Sequence, residues 1–295
     1  MVCSSRSSKV TLAALAFLII IGICLSDRLG FRISDAGATF RAFGEFATTR
    51  NSSGSLADDC FHVFIDLGSN VGVHGRIVFE PDKYPDQPVH KFYDRLFGEN
   101  RTQMPLCVFA FEPNPYHRSR QQALQRAYQR MGWRYSYLPV GVSNASGVLN
   151  FYKNKAYTSR TGDFNEFWGF SSHNKMRRFQ STIPVEVVDF TQWFQTHILD
   201  RRLPADYSSA IAPHIMIKMD IEGMEVEVLT SMLFAGVLCK PDLVIAEFHK
   251  RKIGRKKIMK RRIANSINTI LKLRGCRPIK QLDSEMYLHD GRSLP

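Results

Sequence analysis

Short apolar runs alternate with polar stretches along the chain, and several of the runs stop at a carboxylate. Val63-Phe64-Ile65-Asp66-Leu67 is the first, and Gly68 and Gly72 follow where a buried strand would turn into a helix. Leu106-Cys107-Val108-Phe109-Ala110-Phe111-Glu112 and Ile215-Met216-Ile217-Lys218-Met219-Asp220 repeat the pattern, and residues 243–248 form another buried run with Glu247 and His249 at its end. Between these runs the apolar period changes from that of a strand to that of a helix. After a start at Asn114-Pro115, Tyr116, Ala123, Leu124, Ala127, Tyr128 and Met131 share one face, and Val228, Leu229, Met232 and Leu233 share another. Residues 136–142 read as a third strand, 148–152 as a short hairpin partner, and 185–188 as a strand leading into a helix capped by Asp189. The βαβ order predicts an α/β fold, a mostly parallel sheet with right-handed crossovers and helices on both faces. Its strand ends would carry Asp66, Glu112, Asp220, Glu247 and His249 to one edge, where open α/β sheets hold ligands.

Two stretches break this rhythm. Pro81, Pro85 and Pro88 interrupt the first crossover and predict an inserted surface loop. Residues 153–182 are polar but carry Phe164, Phe167, Trp168 and Phe170, and their length suits either a binding lid or an aromatic-anchored insertion.

The N-terminus adds an expectation about organisation. Arg6 and Lys9 precede an apolar run over residues 10–25 closed by Ser26-Asp27-Arg28, the layout of a signal anchor. Residues 1–26 are therefore expected as a transmembrane signal anchor, 27–59 as a Ser- and Gly-rich stem, and 60–295 as the catalytic domain. This predicts a membrane partner and a single-pass type II protein with its catalytic domain in the Golgi lumen, or a secreted one if the Cys24-Leu25-Ser26 stretch is cleaved. The sequons at Asn51, Asn100 and Asn144 agree with that route.

Composition changes the picture less. The 44% apolar content supports a sizeable core, and a net charge of +13 suits an anionic partner without choosing one. Nine Lys or Arg residues between Lys250 and Arg262 supply much of that charge, either as a solvated helix face or as a patch for an anionic acceptor or membrane headgroups. Cys60, Cys107, Cys239 and Cys276 contain no C-x-x-C pair, so metal-site spacing is absent. They are four buried thiols or up to two disulfides, with Cys60 and Cys107 placed to meet if their strands are parallel neighbours.

A dinucleotide fits the edge poorly. Gly68-Ser69-Asn70-Val71-Gly72 lacks the third glycine of G-x-G-x-x-G, and Glu112 lies far beyond the acid expected about 20 residues on. S-adenosylmethionine fits better, because its cationic groups suit a carboxylate at the first strand end and its ribose suits a second. Asp66-Leu67-Gly68-Ser69-Asn70-Val71-Gly72, Phe111-Glu112-Pro113-Asn114-Pro115 and Lys218-Met219-Asp220-Ile221-Glu222-Gly223-Met224-Glu225 also resemble the successive motifs of FkbM-type methyltransferases. The resemblance implies a Rossmann-like class I fold and S-adenosylmethionine-dependent methylation of a hydroxyl oxygen on a glycan or related polyhydroxylated acceptor. It implies that Asp66, Gly68, Asn70 and Gly72 line the methionine end, that Glu112 takes the ribose, and that Ser143 stands near the adenine.

An alcohol must lose its proton during transfer, so a base is needed. Asp220 and His249 are the candidates; a helix-capping role for Asp220 and a structural hydrogen bond for His249 are the alternatives. No nucleic acid is expected as partner. The rival function is a metal-dependent glycosyltransferase using Asp220-Ile221-Glu222, and a third reading is a non-catalytic binding module.

Overall fold

β1 (His62–Leu67) is buried along its whole length and lies at the centre of a sheet that grows outward from it on both sides. The computed structural model describes residues 54–152, 182–205, 212–248, 259–281, 290 and 292–295. Within them β1 is followed by α1 (Val73–Phe79) and α2 (His90–Phe97), then β2 (Leu106–Phe111), α3 (Arg118–Arg130) and β3 (Arg134–Leu138). After three strands of a second sheet come α4 (Phe190–Phe194), β7 (Ile215–Met219), α5 (Glu225–Phe234), β8 (Leu243–Ala246), α6 (Met259–Leu273) and β9 (Lys280–Gln281). The main sheet runs β3-β2-β1-β7-β8-β9 with every pairing parallel. Strand order therefore reverses between β1 and β7, and the C-terminal ends of the strands at such a reversal are where open α/β sheets hold ligands.

Alternation along β1 builds two cores. Val63, Ile65 and Leu67 pack with Phe190, Trp193, Val228, Leu229 and Ile267 from α4, α5 and α6. Phe64 faces the other way, onto Ile77, Tyr93, Leu124 and Tyr128 from α1, α2 and α3. Helices thus cover both faces, and the strands read as continuous apolar runs because neither face meets water.

The expectation of a single mostly parallel sheet needs correction. A second sheet is formed by β4 (Gly141–Ser143), β5 (Gly147–Tyr152) and β6 (Thr182–Asp189) in the order β4-β6-β5, with β4 and β6 parallel and β5 and β6 antiparallel. The run expected as one strand over 136–142 is divided by Pro139. Proline has no N–H for the ladder, so β3 ends at Leu138 and the chain enters the other sheet at Gly141.

The membrane reading is corrected as well, and with it the transmembrane signal anchor, the membrane partner and the single-pass type II lumenal topology. Among the described residues no helix is long and apolar enough to cross a membrane. The longest, α6, has 15 residues. At about 1.5 Å per residue it falls well short of a hydrocarbon layer roughly 30 Å thick. Its sequence also includes Lys260, Arg261, Arg262 and Lys272. Residues 1–26 lie outside the described residues, as do the sequon at Asn51, the aromatic stretch 153–181 and most of the basic run.

Two disulfides close the fold. Cys60–Cys107 ties the starts of β1 and β2, with Cα atoms 5.7 Å apart, and Cys239–Cys276 ties the approach to β8 to the end of α6. The described residues from 54 onward form one compact unit.

Candidate active site

The corner after β1 is held by its neighbours at every step. The Gly68 and Ser69 amides both donate to the Phe111 carbonyl at 3.0 and 2.9 Å, and the Asp220 amide donates to Leu67 O at 2.9 Å. Gly68 and Gly72 adopt positive φ. A Cβ at Gly68 would lie 1.9 Å from the Asp220 carbonyl oxygen, and one at Gly72 would lie 2.5 Å from Leu124 Cδ1. Gly68 is thus required where the backbones of the β1 and β7 turns meet, and Gly72 is favoured by its left-handed φ beside Leu124 of α3.

Three carboxylates gather around this corner. Asp66 is fully buried, and register places it beside Lys218 on the neighbouring strand. The Lys218 ammonium donates to Gly68 O at 2.8 Å and stands 3.2 Å from Asp66 Oδ1 and 3.9 Å from Asp220 Oδ2. The 3.2 Å approach is a buried ion pair, and among the described residues Asp66 has no other side-chain or backbone donor. Burial raises the Asp66 pKa, and the Lys218 charge opposes that rise. Among the described residues this one ammonium faces two carboxylates.

Glu112 follows β2 and is buried. Its Oε2 accepts from the Asn70 amide at 2.7 Å and its Oε1 from the Asn114 amide at 2.8 Å, which fixes the carboxylate plane while each oxygen keeps a second lone pair. Burial pushes its pKa up to about 7 against the pull of those amides and Lys218. Asn70 itself sits at φ 51, and its side-chain Oδ1 is buried with no hydrogen-bond donor among the described residues. A buried acceptor left in this state is the kind a bound polar ligand completes.

Of the residues expected from sequence, Asp66, Gly68, Asn70, Gly72, Glu112 and Asp220 come together at this edge. Asp220 is the more open carboxylate, its side chain 14% exposed against 0% for Asp66. Ser143 belongs to β4 in the second sheet, where its hydroxyl meets Asn144 Oδ1 at 3.3 Å, and among the described residues no hydrogen bond joins it to the others. His249 lies outside the described residues. Glu222, at φ 56, and Gly223 form the turn that leads from Asp220 into α5. Among the described residues no group of three His, Cys, Asp or Glu side chains forms a metal-type cluster.

Two site residues escaped the sequence reading. Lys218 is the charge at the centre of the edge, and its signal was a cation inside an otherwise apolar strand. Gln121 donates to Ser69 Oγ at 2.9 Å and to Asn70 O at 2.7 Å, and accepts from the Tyr135 hydroxyl at 2.6 Å. It lies three and seven residues before Leu124 and Tyr128, so its signal was a polar side chain on the buried stripe of α3.

Residues 57–278 match the Methyltransferase FkbM domain, which covers more than half of the chain. The chain belongs to the FkbM methyltransferase family, and this membership is consistent with S-adenosylmethionine-dependent methyl transfer. A solved methyltransferase FkbM from Methylobacillus flagellatus KT is similar at 16% identity and a TM-score of 0.34, over 75% of this chain and 38% of that one. The chain thus spans well under half the length of that structure. No curated protein matches.

Proposed function

We propose that the protein transfers a methyl group to a hydroxyl oxygen of a glycan or related polyhydroxylated acceptor, and that the edge formed by Asp66, the corner 68–72 and Glu112 holds the cofactor. S-adenosylmethionine supplies an electrophilic methyl group on a sulfonium whose departure as a neutral thioether needs no protonation. The observation that carries the reading is Asp66, a fully buried carboxylate at the strand-order reversal whose one partner among the described residues is the Lys218 ammonium at 3.2 Å. The residues present fit a ligand with cationic and hydroxyl groups. Asp66 attracts the cationic methionine end, the Asn70 side-chain oxygen accepts a hydrogen from it, and Glu112 presents two oriented oxygens to a ribose diol. Ser143 is assigned to the adenine end on the family resemblance.

Asp220 is the proposed base, because it is the carboxylate of this edge that reaches solvent and therefore an acceptor. Its Oδ atoms would take the hydroxyl proton as the oxygen attacks, while Lys218 steadies the carboxylate. Much of the acceleration in such a displacement comes from holding the oxygen in line, which a fixed corner favours. His249 remains a second candidate for that proton from its place after β8.

The test is methyl-labelled S-adenosylmethionine offered with panels of neutral and anionic glycans. Label appearing as an alkali-stable methyl ether, and lost in Asp220→Asn, supports the reading; transfer only to carboxyl groups or amines would contradict it.

A further inference from the structure

The last described residues lie beyond the family match and return to the corner. Arg76 of α1 is fully buried, and its guanidinium is satisfied all round. It donates to both Glu80 oxygens at 2.9 and 3.0 Å, to Asp290 Oδ2 at 2.7 Å, and to the carbonyls of Arg292 and Ser293 at 3.1 and 2.7 Å. Tyr84 donates to Asp290 Oδ1 at 2.9 Å, and the Arg292 guanidinium covers the Tyr84 ring at 4.6 Å. The carboxylate of Asp290 is therefore fixed in place, 1% exposed. It is also shared: Arg120 Nη2 donates to Asp290 Oδ2 at 2.5 Å while Arg120 Nε donates to the Val71 carbonyl at 3.0 Å.

Val71 stands between Asn70 and Gly72 in the corner. Arg120 and Gln121, adjacent on α3, together hold Ser69, Asn70 and Val71, and the Asn70 amide in turn holds Glu112. We propose that Asp290 is a positioning residue for the cofactor site, acting through Arg120 on the Val71 carbonyl. Arg120 is the part of this linkage with room to move, its side chain 16% exposed. Without Asp290 to hold one end of the fork, the guanidinium turns to water, Val71 loses its donor, and the 68–72 backbone loses the conformation in which it meets a ligand. A buried ion cluster is weak evidence for stability on its own, whereas a charge-assisted fork fixes geometry. The C-terminal segment thereby becomes part of the binding apparatus.

This inference rests on the assignment of the corner to the cofactor. The experiment is calorimetric titration of the full chain and its variants with S-adenosylmethionine. Arg120→Met leaves Asp290 paired with Arg76 and Tyr84, so the fold is retained; it should weaken binding about tenfold, the worth of one charge-assisted hydrogen bond. Asp290→Asn should weaken it similarly, Asp290→Glu should restore part of the loss, and Asp290→Asn combined with Arg120→Met should bind no worse than Arg120→Met alone. Wild-type affinity in Arg120→Met, or fully additive losses in the double variant, overturns the proposal. If Asp290→Asn does not fold, Arg120→Met decides alone. Asp66→Asn separates the two levels. If it loses binding while Arg120→Met does not, this inference fails by itself; if it binds like wild type, the corner assignment fails and takes the inference with it.

Discussion

The carbonyl oxygen of Asp220 occupies the space that a Cβ on Gly68 would need, 1.9 Å from its position. The turn after β1 and the turn after β7 are thus one packed unit, and the backbone of the proposed base is seated on the proposed cofactor corner. Gly68→Ala should separate them. Overpacking costs about 1–3 kcal/mol and a side chain in the left-handed region about 1–2 more, so a loss of about 3 kcal/mol is expected in urea unfolding. Cofactor binding should fall further than stability, because Lys218 bonds to the carbonyl of the same glycine. A variant as stable as wild type would contradict the packing account.

Lys218 is the only cation the structure places between Asp66 and Asp220 among the described residues. Lys218→Met leaves Asp66 buried without its counter-charge, which costs about 3–5 kcal/mol. The sign with pH follows from the direction of the Asp66 shift. Its folded pKa is already raised by burial and rises further without the ammonium. The folded state then binds more protons than the unfolded state above the ordinary carboxylate pKa, so stability falls as pH rises. Thermal unfolding of Lys218→Met should show a larger deficit against wild type at pH 8 than at pH 5. A deficit independent of pH would mean that Asp66 is not held by this lysine.

Glu112 gives a second pH signature. Its pKa of about 7 in the folded protein is raised from 4.5. Its contribution to the stability of the ligand-free protein is therefore lost as pH rises from 4.5 through 7. Cofactor affinity moves the other way, because only the ionised carboxylate accepts from both ribose hydroxyls. Affinity for S-adenosylmethionine should increase about tenfold from pH 6 to pH 8, the span over which such a group ionises. Glu112→Gln should bind more weakly and lose that part of the pH dependence. Identical profiles in the two proteins would remove Glu112 from the ribose site.

The disulfides cross-link residues 47 and 37 positions apart. Closing loops of that size stabilises a fold by about 2–4 kcal/mol each. Replacing Cys60 and Cys107 together by Ser should lower the melting temperature by about 5–15 °C, given about 2–4 °C per kcal/mol for a domain of this size. No change in melting temperature, with both thiols absent, would contradict a structural role for that bridge.

Much of this site was legible in sequence because strand ends are local signals. Asp66, Glu112 and Asp220 each terminate an apolar run, and parallel pairing then forces them to one edge. The Cys60–Cys107 bridge, left open in sequence beside four buried thiols, is one that the same parallel pairing makes feasible. What was not legible depends on which surfaces meet. Gln121 is an ordinary helix residue until α3 is laid against the corner, and Asp290 is an ordinary acid until the chain end reaches Arg76. The second sheet has a local signal, Pro139 inside an apolar run, which marks the end of one strand and the start of another. The close packing of Gly68 against Asp220 and of Gly72 against Leu124 also depends on which surfaces meet.

The central claim is that the edge between β1, β2 and β7 binds S-adenosylmethionine through Asp66. Isothermal titration of wild type and Asp66→Asn with S-adenosylmethionine tests it most directly. The account predicts one site per chain in the wild type, and an affinity lower by at least about tenfold in the variant, the loss of one charge-assisted contact in a buried site. Equal affinities in the two proteins would contradict it.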